Sequence, residues 1–226
     1  MLKRILEPEV MDSPEEARDY DAMDHEEVNQ RFVEDFLAVV KDLDGLILDV
    51  GTGTARIPIV LCRRLIGCEL TGIDLSRQML RLAARNVEIA RLASRISLEH
   101  TDAKNLPYAE DTFVAVVSNS ILHHIPQPAD VLGEAVRVAK PGAIFFWRDL
   151  IRPADEGTVE QFVAVYAGRK NRHQQKLFRD SLRAALCVDE MRELVSNLDF
   201  DPEGVQATSD RHWTWLARKQ GGKSRG

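Results

Sequence analysis

The sequence predicts an α/β fold, a doubly wound and mostly parallel sheet of about seven strands with a helical cap. Three observations support this prediction. Short apolar runs alternate with amphipathic helical segments from residue 46 to residue 150. A glycine turn, "GTGTA", directly follows the first apolar run. Polar residues also follow the later apolar runs, as expected where the carboxyl ends of parallel strands form one binding edge.

Composition limits the classes of function that fit the chain. Its 226 residues, of which 44% are hydrophobic, suffice for one sizeable core. A net charge of -6 gives no general attraction for nucleic acid. Three cysteines without CxxC spacing favour a reduced, cytoplasmic compartment. We expect no signal peptide, because only a few apolar residues follow the two basic residues of "MLKRILEPEV". We expect no membrane insertion, because no apolar run approaches the roughly 18 residues of a membrane span. The oligomeric state is not indicated.

We expect the chain to be organised around a single core domain. An N-terminal helical segment (1–44) precedes an α/β core (45–151). A helical cap insertion (152–186) then leads to the closing helix and strands of the core (187–218). The last residues (219–226) are expected to form a disordered tail.

The core elements follow one another in a regular order. Apolar residues such as Phe32 and Phe36 lie at helical spacing before the core. "LILDV" (46–50) is short and branched, which indicates a buried strand, and an apolar helical segment (57–66) follows the glycine turn. "CELTGIDLS" then predicts a second strand whose Ser76 caps the next helix.

The alternation continues through three more strands before the pattern changes. "RISLEHTDA" and "TFVAVVSNS" predict the third and fourth strands, and a helix over 130–139 leads to the fifth, "AIFFWRDL" (143–150). Two helical stretches then stand where simple alternation needs one, so we interpret residues 152–186 as a cap over the carboxyl edge. "VDEMRELVSNL" predicts another helix, and "GVQAT" with "HWTWLARK" predicts an antiparallel strand pair.

The glycine turn is typical of nucleotide-binding proteins, and its details separate two classes. A dinucleotide site needs G-x-G-x-x-G, whose third glycine lets a helix N-terminus approach the pyrophosphate. Here Gly51 and Gly53 are followed by Arg56 at that position, and the preceding strand ends in Asp49. A carboxylate at this place repels pyrophosphate and suits a cation, so the pattern disfavours NAD.

Four stretches in order, "LDVGTGTAR", "GIDLS", "HTDAKNLPYAEDTFVAVVSNSILHHI" and "EAVRVAKPGA", resemble successive motifs of class I S-adenosylmethionine-dependent methyltransferases. The similarity is to the small-molecule type that includes the quinone C-methyltransferases, and it covers about residues 45–148. It implies the Rossmann-like fold of that family, S-adenosyl-L-methionine as cofactor and a small-molecule methyl acceptor.

The resemblance also implies which residues hold the cofactor. Asp49 matches the acidic residue near the charged methionine portion, and Asp74 matches the carboxylate that accepts the ribose hydroxyls. The other matches are Gly51, Thr52 and Gly53 in the turn, Leu75, Met79, Asp102 and Ala103 around the adenine, Ser118 or Asn119 beside the sulfonium, and Tyr20 as an aromatic cover. The family's third glycine is Ala55 here.

The residues on the acceptor side are less closely defined. Methyl transfer is a direct displacement, so a base is needed only where the acceptor atom must lose a proton. His123 is our candidate base, although "HHI" also fits a wall or helix-capping role. The candidate substrate-binding residues are His124, Arg148, Asp149, Tyr166 and Arg183. Arg148 and Asp149 could instead satisfy one another. We predict no metal site.

We therefore predict a methyltransferase that passes the methyl group of S-adenosylmethionine to a small molecule. Three alternatives stay open. The acceptor could be a protein or a tRNA, the chain could be a non-catalytic module that binds the cofactor, or it could be an NAD-dependent oxidoreductase. The recognised motifs all serve the methyl donor, so they do not indicate the acceptor atom.

Overall fold

The computed structural model describes residues 2–7, 26–40 and 43–221. Contacts divide these residues into two compact units. The larger unit contains residues 26–40, 43–119, 129–147 and 216–221, and the smaller unit contains residues 2–7, 120–128 and 148–215. Our division into N-terminal segment, core, cap and tail stays a prediction. The expected tail falls largely on residues 222–226, outside the described part of the chain.

Seven strands form one sheet. They are β1 (Gly45–Val50), β2 (Cys68–Asp74), β3 (Ile96–His100), β4 (Phe113–Asn119), β5 (Ala139–Leu150), β6 (Val205–Ala207) and β7 (His212–Arg218). Their order in the sheet is β3-β2-β1-β4-β5-β7-β6. β1 pairs in parallel with β2 and β4, and β2 with β3, whereas β6 and β7 are antiparallel. The predicted doubly wound, mostly parallel sheet is confirmed.

Helices alternate with these strands. They are α1 (Glu26–Val39), α2 (Arg56–Arg64), α3 (Arg77–Ala90), α4 (Pro128–Val138), α5 (Glu156–Ala167), α6 (Arg172–Ala184) and α7 (Val188–Ser196), with 3-10 turns at Leu122–His124 and Pro202–Gly204. α5 and α6 are the two helices predicted for residues 152–186. In the described part of the chain, no helix combines the length and the apolar character that crossing a bilayer requires.

The fifth strand begins earlier than predicted. β5 starts at Ala139 instead of residue 143 and includes Pro141 and Gly142. These two residues are exposed at the start of the strand, where a missing proline N–H is tolerated. Gly142 still donates its N–H to the carbonyl of Lys219 at 2.7 Å. The helix α4 therefore ends before the proline, and the proline lies within the first residues of β5.

Each unit has its own apolar core. In the larger unit, the predicted apolar face of α1 is buried: Phe32 and Phe36 are 0% exposed and their rings lie 5.0 and 5.6 Å from the ring of Phe146. Burying one such phenylalanine contributes about 1.5–3 kcal/mol. In the smaller unit, residues of β5, α5 and α6 form a second cluster that includes Leu150, Val159 and Leu182.

Candidate functional site

The glycine turn after β1 has the backbone geometry that its glycines allow. Gly51 and Gly53 have φ angles of 75° and 53°, in the left-handed region that favours glycine. Ala55, at the position of the expected third glycine, also has a φ of 60°. The N–H groups of Gly51 and Thr52 both donate to the carbonyl of Ile73, at 3.0 and 2.8 Å. The turn is therefore held directly on the end of β2.

Gly72, inside β2, is part of this site although our reading of the sequence did not select it. A Cβ atom at this position would lie 2.6 Å from Oγ1 of Thr52, so the threonine side chain occupies the space that a larger residue would need. A glycine within a strand often marks such a close approach, and this was the signal that could have identified it.

Asp49 is buried between neighbouring strands at the end of β1. It pairs in register with Gly72 of β2 and Val117 of β4, and only 2% of its surface is exposed. Burial raises the pKa of this carboxyl to about 7, and the nearby charge of Asp74 adds to the increase. A bound cation would stabilise the ionised form of Asp49, whereas a phosphate would destabilise it further.

Asp74 joins the end of β2 to the glycine turn. Its Oδ2 accepts a hydrogen bond from the N–H of Gly53 at 2.8 Å, and its Oδ1 accepts one from the N–H of Ser76 at 2.8 Å. The side chain is half-buried, and an ionised carboxylate is an acceptor of hydrogen bonds at both oxygens. The same contact engages the Gly53 N–H, which a dinucleotide phosphate would otherwise use.

The predicted adenine residues follow β2 and β3. Ser76 caps α3 by accepting the N–H of Met79 at 3.2 Å. Met79 and Ala103 are buried, and Leu75 is half-buried. Asp102 lies in a turn, where its Oδ1 accepts the N–H of Lys104 at 2.9 Å and pairs with the ammonium of the same residue at 3.2 Å.

Two predicted residues end β4, and their side chains differ in their contacts. The hydroxyl of Ser118 is buried and donates to the carbonyl of Val50 at 2.8 Å, which ties β4 to β1. Asn119 is half-buried. Because the Ser118 hydroxyl proton is already used, Asn119 is the better candidate for a ligand contact. Tyr20, the predicted aromatic cover, lies outside the described residues.

In the smaller unit, His123 and Asp149 form a buried pair. Nδ1 of His123 lies 2.6 Å from Oδ1 of Asp149, and the N–H of Leu150 donates to the same oxygen at 2.6 Å. Burial opposes the charged imidazole, but the charge and hydrogen bond of Asp149 outweigh it and raise the pKa of His123. Burial likewise opposes the carboxylate, yet the facing imidazole lowers the pKa of Asp149.

The described N-terminal residues 2–7 place a carboxylate, that of Glu7, beside His123 and His124. The sequence did not suggest this contact. Oε1 of Glu7 lies 3.6 Å from Nε2 of His123 and 3.1 Å from Nδ1 of His124. Arg4 holds the segment in place by donating to the carbonyls of Leu122, His123, Ile125 and Ala184 at 2.6–3.3 Å. Glu7 is far from the histidines in sequence, and no local pattern marks it.

The other predicted substrate residues are engaged by protein partners. Arg148 is buried and its Nε donates to Oγ1 of Thr214 at 2.9 Å. The hydroxyl of Tyr166 donates to the carboxylate of Asp210, and the guanidinium of Arg211 lies 3.5 Å from the centre of the Tyr166 ring. Arg183 pairs with Glu156 at 2.7 Å. Their roles in substrate binding stay predictions.

Comparison with known sequences agrees with this arrangement. Residues 48–147 match a family model described as "Methyltransferase domain". The ubiquinone/menaquinone biosynthesis C-methyltransferase UbiE of Desulfotalea psychrophila is 35% identical over 123 residues, which are 54% of this chain and 48% of that protein. Methyltransferase GfsG of Streptomyces halstedii is 32% identical over 105 residues, 46% of this chain and 37% of that protein. The chain thus spans less than half the length of these curated relatives.

Comparison with solved structures extends over nearly the whole chain. A SAM-dependent methyltransferase from Aquifex aeolicus aligns with a TM-score of 0.65 at 16% identity, covering 91% of this chain and 98% of that one. The plantazolicin methyltransferase BpumL, solved in complex with SAH, aligns with a TM-score of 0.72 at 16% identity, covering 90% and 89%. At these identities the likeness shows a shared fold.

Proposed function

We propose that this chain, whose residues 48–147 form a methyltransferase domain of the class I S-adenosylmethionine-dependent type, transfers the cofactor's methyl group to a small molecule. One observation carries the proposal. Asp74 accepts the N–H of Gly53, while Asp49 lies buried at the end of the strand before the same turn. The turn therefore combines a glycine backbone with two carboxylates, as a cationic nucleoside requires.

The same geometry argues against a dinucleotide. Pyrophosphate binding at a glycine turn depends on free backbone N–H groups and on the positive end of the following helix. Here the Gly53 N–H is engaged by Asp74, and ionised Asp49 would repel a phosphate. Both carboxylates instead favour a ligand with a positive charge and hydroxyl donors, which S-adenosylmethionine has. The NAD-dependent alternative thus receives no support from the site.

Each carboxylate has a distinct proposed role. Asp74 accepts the ribose hydroxyls with its carboxylate oxygens, each of which has two lone pairs. Asp49 attracts the positively charged methionine portion, and Asn119 contacts the cofactor near its reacting end. Displacement at the activated methyl needs little more than an aligned acceptor, so the chain's main task is positioning. His123 stays the candidate base for an acceptor that must lose a proton.

A small-molecule acceptor is supported by the names of the relatives. One is a quinone-biosynthesis C-methyltransferase, and a fold neighbour is the plantazolicin methyltransferase. The net charge of -6 disfavours tRNA as acceptor. We test the acceptor class by incubating the protein with labelled S-adenosylmethionine and panels of demethylated quinols, peptides and tRNA. Label transfer only to peptide or tRNA would contradict the proposal, and no transfer with intact cofactor binding would favour a non-catalytic module.

The proposed contact between Asp74 and the ribose hydroxyls is tested by a double-mutant-type cycle. The cycle combines one substitution, at Asp74, with one change in the ligand, the removal of the ribose hydroxyls. Wild type should bind S-adenosylhomocysteine at least tenfold more tightly than an analogue without the two ribose hydroxyls, because a hydrogen bond to a charged group contributes about 1.5–3 kcal/mol. The Asp74→Asn variant should discriminate far less between the two ligands. A general loosening of the turn would weaken both ligands equally, so the cycle isolates direct contact.

Asp102→Asn is the matched control, because it alters a carboxylate at the next strand end that pairs with Lys104. It should keep the full preference for the hydroxylated ligand. Isothermal titration calorimetry gives all affinities, and NADH is titrated in parallel. An Asp74→Asn variant with undiminished discrimination would contradict the ribose assignment, and saturable heat from NADH would revive the oxidoreductase alternative.

A further inference from the structure

The smaller unit contains a cluster of which the proposed function uses only His123, as a candidate base, and leaves Glu7 and His124 without a role. Glu7, His123 and His124 each present one atom that could ligate a metal, and these three atoms lie within 4.8 Å of one another. We propose that Glu7, His123 and His124 bind a divalent first-row transition metal ion such as Zn²⁺, with Asp149 positioning His123 for that task. This site goes beyond the proposed function, and its binding can be measured independently of it.

The distances from Glu7 to the two imidazole nitrogens are close to those around a tetrahedral ion. Nitrogen and oxygen ligands lie about 2.0–2.2 Å from zinc, which places two ligand atoms of a tetrahedron about 3.4 Å apart. Oε1 of Glu7 lies 3.1 Å from Nδ1 of His124 and 3.6 Å from Nε2 of His123. The two imidazole rings lie 4.1 Å apart between centroids and are tilted by 36°, so the two histidines are in direct contact.

Asp149 prepares His123 as a ligand. Its Oδ1 lies 2.6 Å from Nδ1 of His123, and its Oδ2 accepts the backbone N–H of the same residue at 3.2 Å. A histidine that gives its Nδ1–H to a carboxylate presents the lone pair of Nε2 on the opposite side, here toward Glu7. Most metal-binding histidines are held by such an outer carboxylate or carbonyl.

Two atoms of the cluster are buried without a partner. Within the described part of the chain, neither Oε1 of Glu7 nor Nδ1 of His124 has a hydrogen-bond partner. Glu7 is only 9% exposed and His124 only 15%. The two atoms are close, yet they are not aligned for a hydrogen bond with each other. Buried polar atoms are rarely left unsatisfied in native proteins, and an ion between them would satisfy both.

The local charge is compatible with a cation. Glu7 and Asp149 carry negative charges, and Arg4 is the positive group beside them. Arg4 donates hydrogen bonds from its Nη2 to the carbonyls of Leu122, His123 and Ile125. A proton on an imidazole would also offset the excess negative charge, and the experiment below separates these two explanations. Two imidazoles and one carboxylate suit zinc or ferrous iron better than magnesium or calcium.

Three protein ligands leave a fourth tetrahedral position for an exogenous donor. Zinc sites with three protein ligands bind water or an oxygen atom of another molecule at this position. The site would therefore take an oxygen donor such as a hydroxyl or a carboxylate. Structural zinc sites, in contrast, are closed by four protein ligands.

The test begins with untagged, chelator-stripped wild type titrated with Zn²⁺ by calorimetry. We expect one equivalent of Zn²⁺ per chain, and X-ray absorption of the loaded protein should count two imidazole ligands. His123→Gln, His124→Gln and Glu7→Gln should each weaken binding at least tenfold. His173→Gln, which removes an exposed histidine at the start of α6, is the matched control and should leave binding unchanged.

Asp149→Asn tests the positioning role. It should weaken Zn²⁺ binding tenfold or more while the absorption spectrum still counts two imidazoles, which a general loss of structure would not preserve. Binding of S-adenosylhomocysteine by each variant reports folding and stands apart from the metal result. Wild type without saturable Zn²⁺ binding, an imidazole count other than two, or affinities that His124→Gln and Glu7→Gln leave unchanged would overturn the proposal.

Discussion

Replacing Asp49 by asparagine should make the ligand-free protein more stable and the cofactor site weaker. The carboxyl is 2% exposed, and burial raises its pKa to about 7 from an ordinary 3.8. The unfolded chain thus releases this proton near pH 3.8, whereas the folded chain holds it until about pH 7. Between these values the folded state binds more protons, so the wild type loses stability as the pH rises through this window.

The magnitude follows from the same two values. A pKa difference of one unit corresponds to about 1.36 kcal/mol, so the rise from 3.8 to about 7 costs the folded state up to about 4 kcal/mol. The full cost is present above pH 7, and at pH 5 it falls to about 2 kcal/mol. Asparagine has nearly the same shape and no charge, so Asp49→Asn should recover most of this free energy.

Urea unfolding of wild type and variant at pH 5 and pH 7.5 measures the effect. We expect Asp49→Asn to be more stable by about 2–4 kcal/mol at pH 7.5 and by clearly less at pH 5. Its affinity for S-adenosylmethionine should fall at least tenfold, because the attraction between carboxylate and cation is lost. Asp74→Asn is the matched comparison: it weakens hydrogen bonds to Gly53 and Ser76, so it should lower stability.

An Asp49→Asn variant that is less stable than wild type at pH 7.5 would show that the ionised carboxylate does not destabilise the folded protein. An advantage of equal size at both pH values would contradict the prediction too, because the gain would then not come from ionisation. With the expected result, Asp49 lowers the stability of the ligand-free protein while strengthening cofactor binding. Functional sites commonly combine these two effects in one residue.

Two further substitutions test the backbone of the glycine turn. Ala55→Gly should raise the free energy of unfolding by up to about 1 kcal/mol. The reason is that glycine relieves the strain of the left-handed φ of 60°, and this gain exceeds the loss of one buried methyl group. A variant that unfolds at a lower temperature than wild type would contradict this prediction. Gly72→Ala should lower the free energy of unfolding by about 1–3 kcal/mol and weaken S-adenosylhomocysteine binding, because the new Cβ would lie 2.6 Å from Oγ1 of Thr52. Gly133→Ala is the control, because nothing lies within 4 Å of a Cβ atom at that position. Denaturant unfolding of this variant should show a stability equal to or higher than that of wild type. Equal losses of stability in Gly72→Ala and Gly133→Ala would contradict the proposed clash with Thr52.

The sheet and the turn could be predicted because their signals are local. The apolar run that forms β1, the turn behind it and the capping serine of α3 all lie within short stretches of sequence. Each is read from neighbouring residues, and the parallel pairing follows from their alternation. The place of Asp74 at the end of β2 follows from the same pattern, whereas its role toward the ribose is implied by the resemblance and stays a prediction.

The contacts between distant residues could not be predicted in this way. Asp149 was expected either to bind substrate or to pair with Arg148, and its pairing with His123 at 2.6 Å was not suggested by the sequence. Glu7 meets the two histidines because distant residues hold the N-terminal segment, for example through the hydrogen bonds from Arg4 to the carbonyls of Leu122 and Ala184. These pairings depend on tertiary packing, for which the sequence carries no periodic signal.

The attachment of Arg4 also sets an order of events during synthesis. Arg4 and Glu7 are made well before their partners, because Arg4 donates to the carbonyl of Ala184 and Glu7 accepts from Ser181. At about 5–20 residues per second, a ribosome needs on the order of 10–35 s to reach that helix. These contacts can therefore form only after residues 181–184 have been made. The histidine cluster, which includes Glu7, is thus completed only after most of the chain shown here has been synthesised.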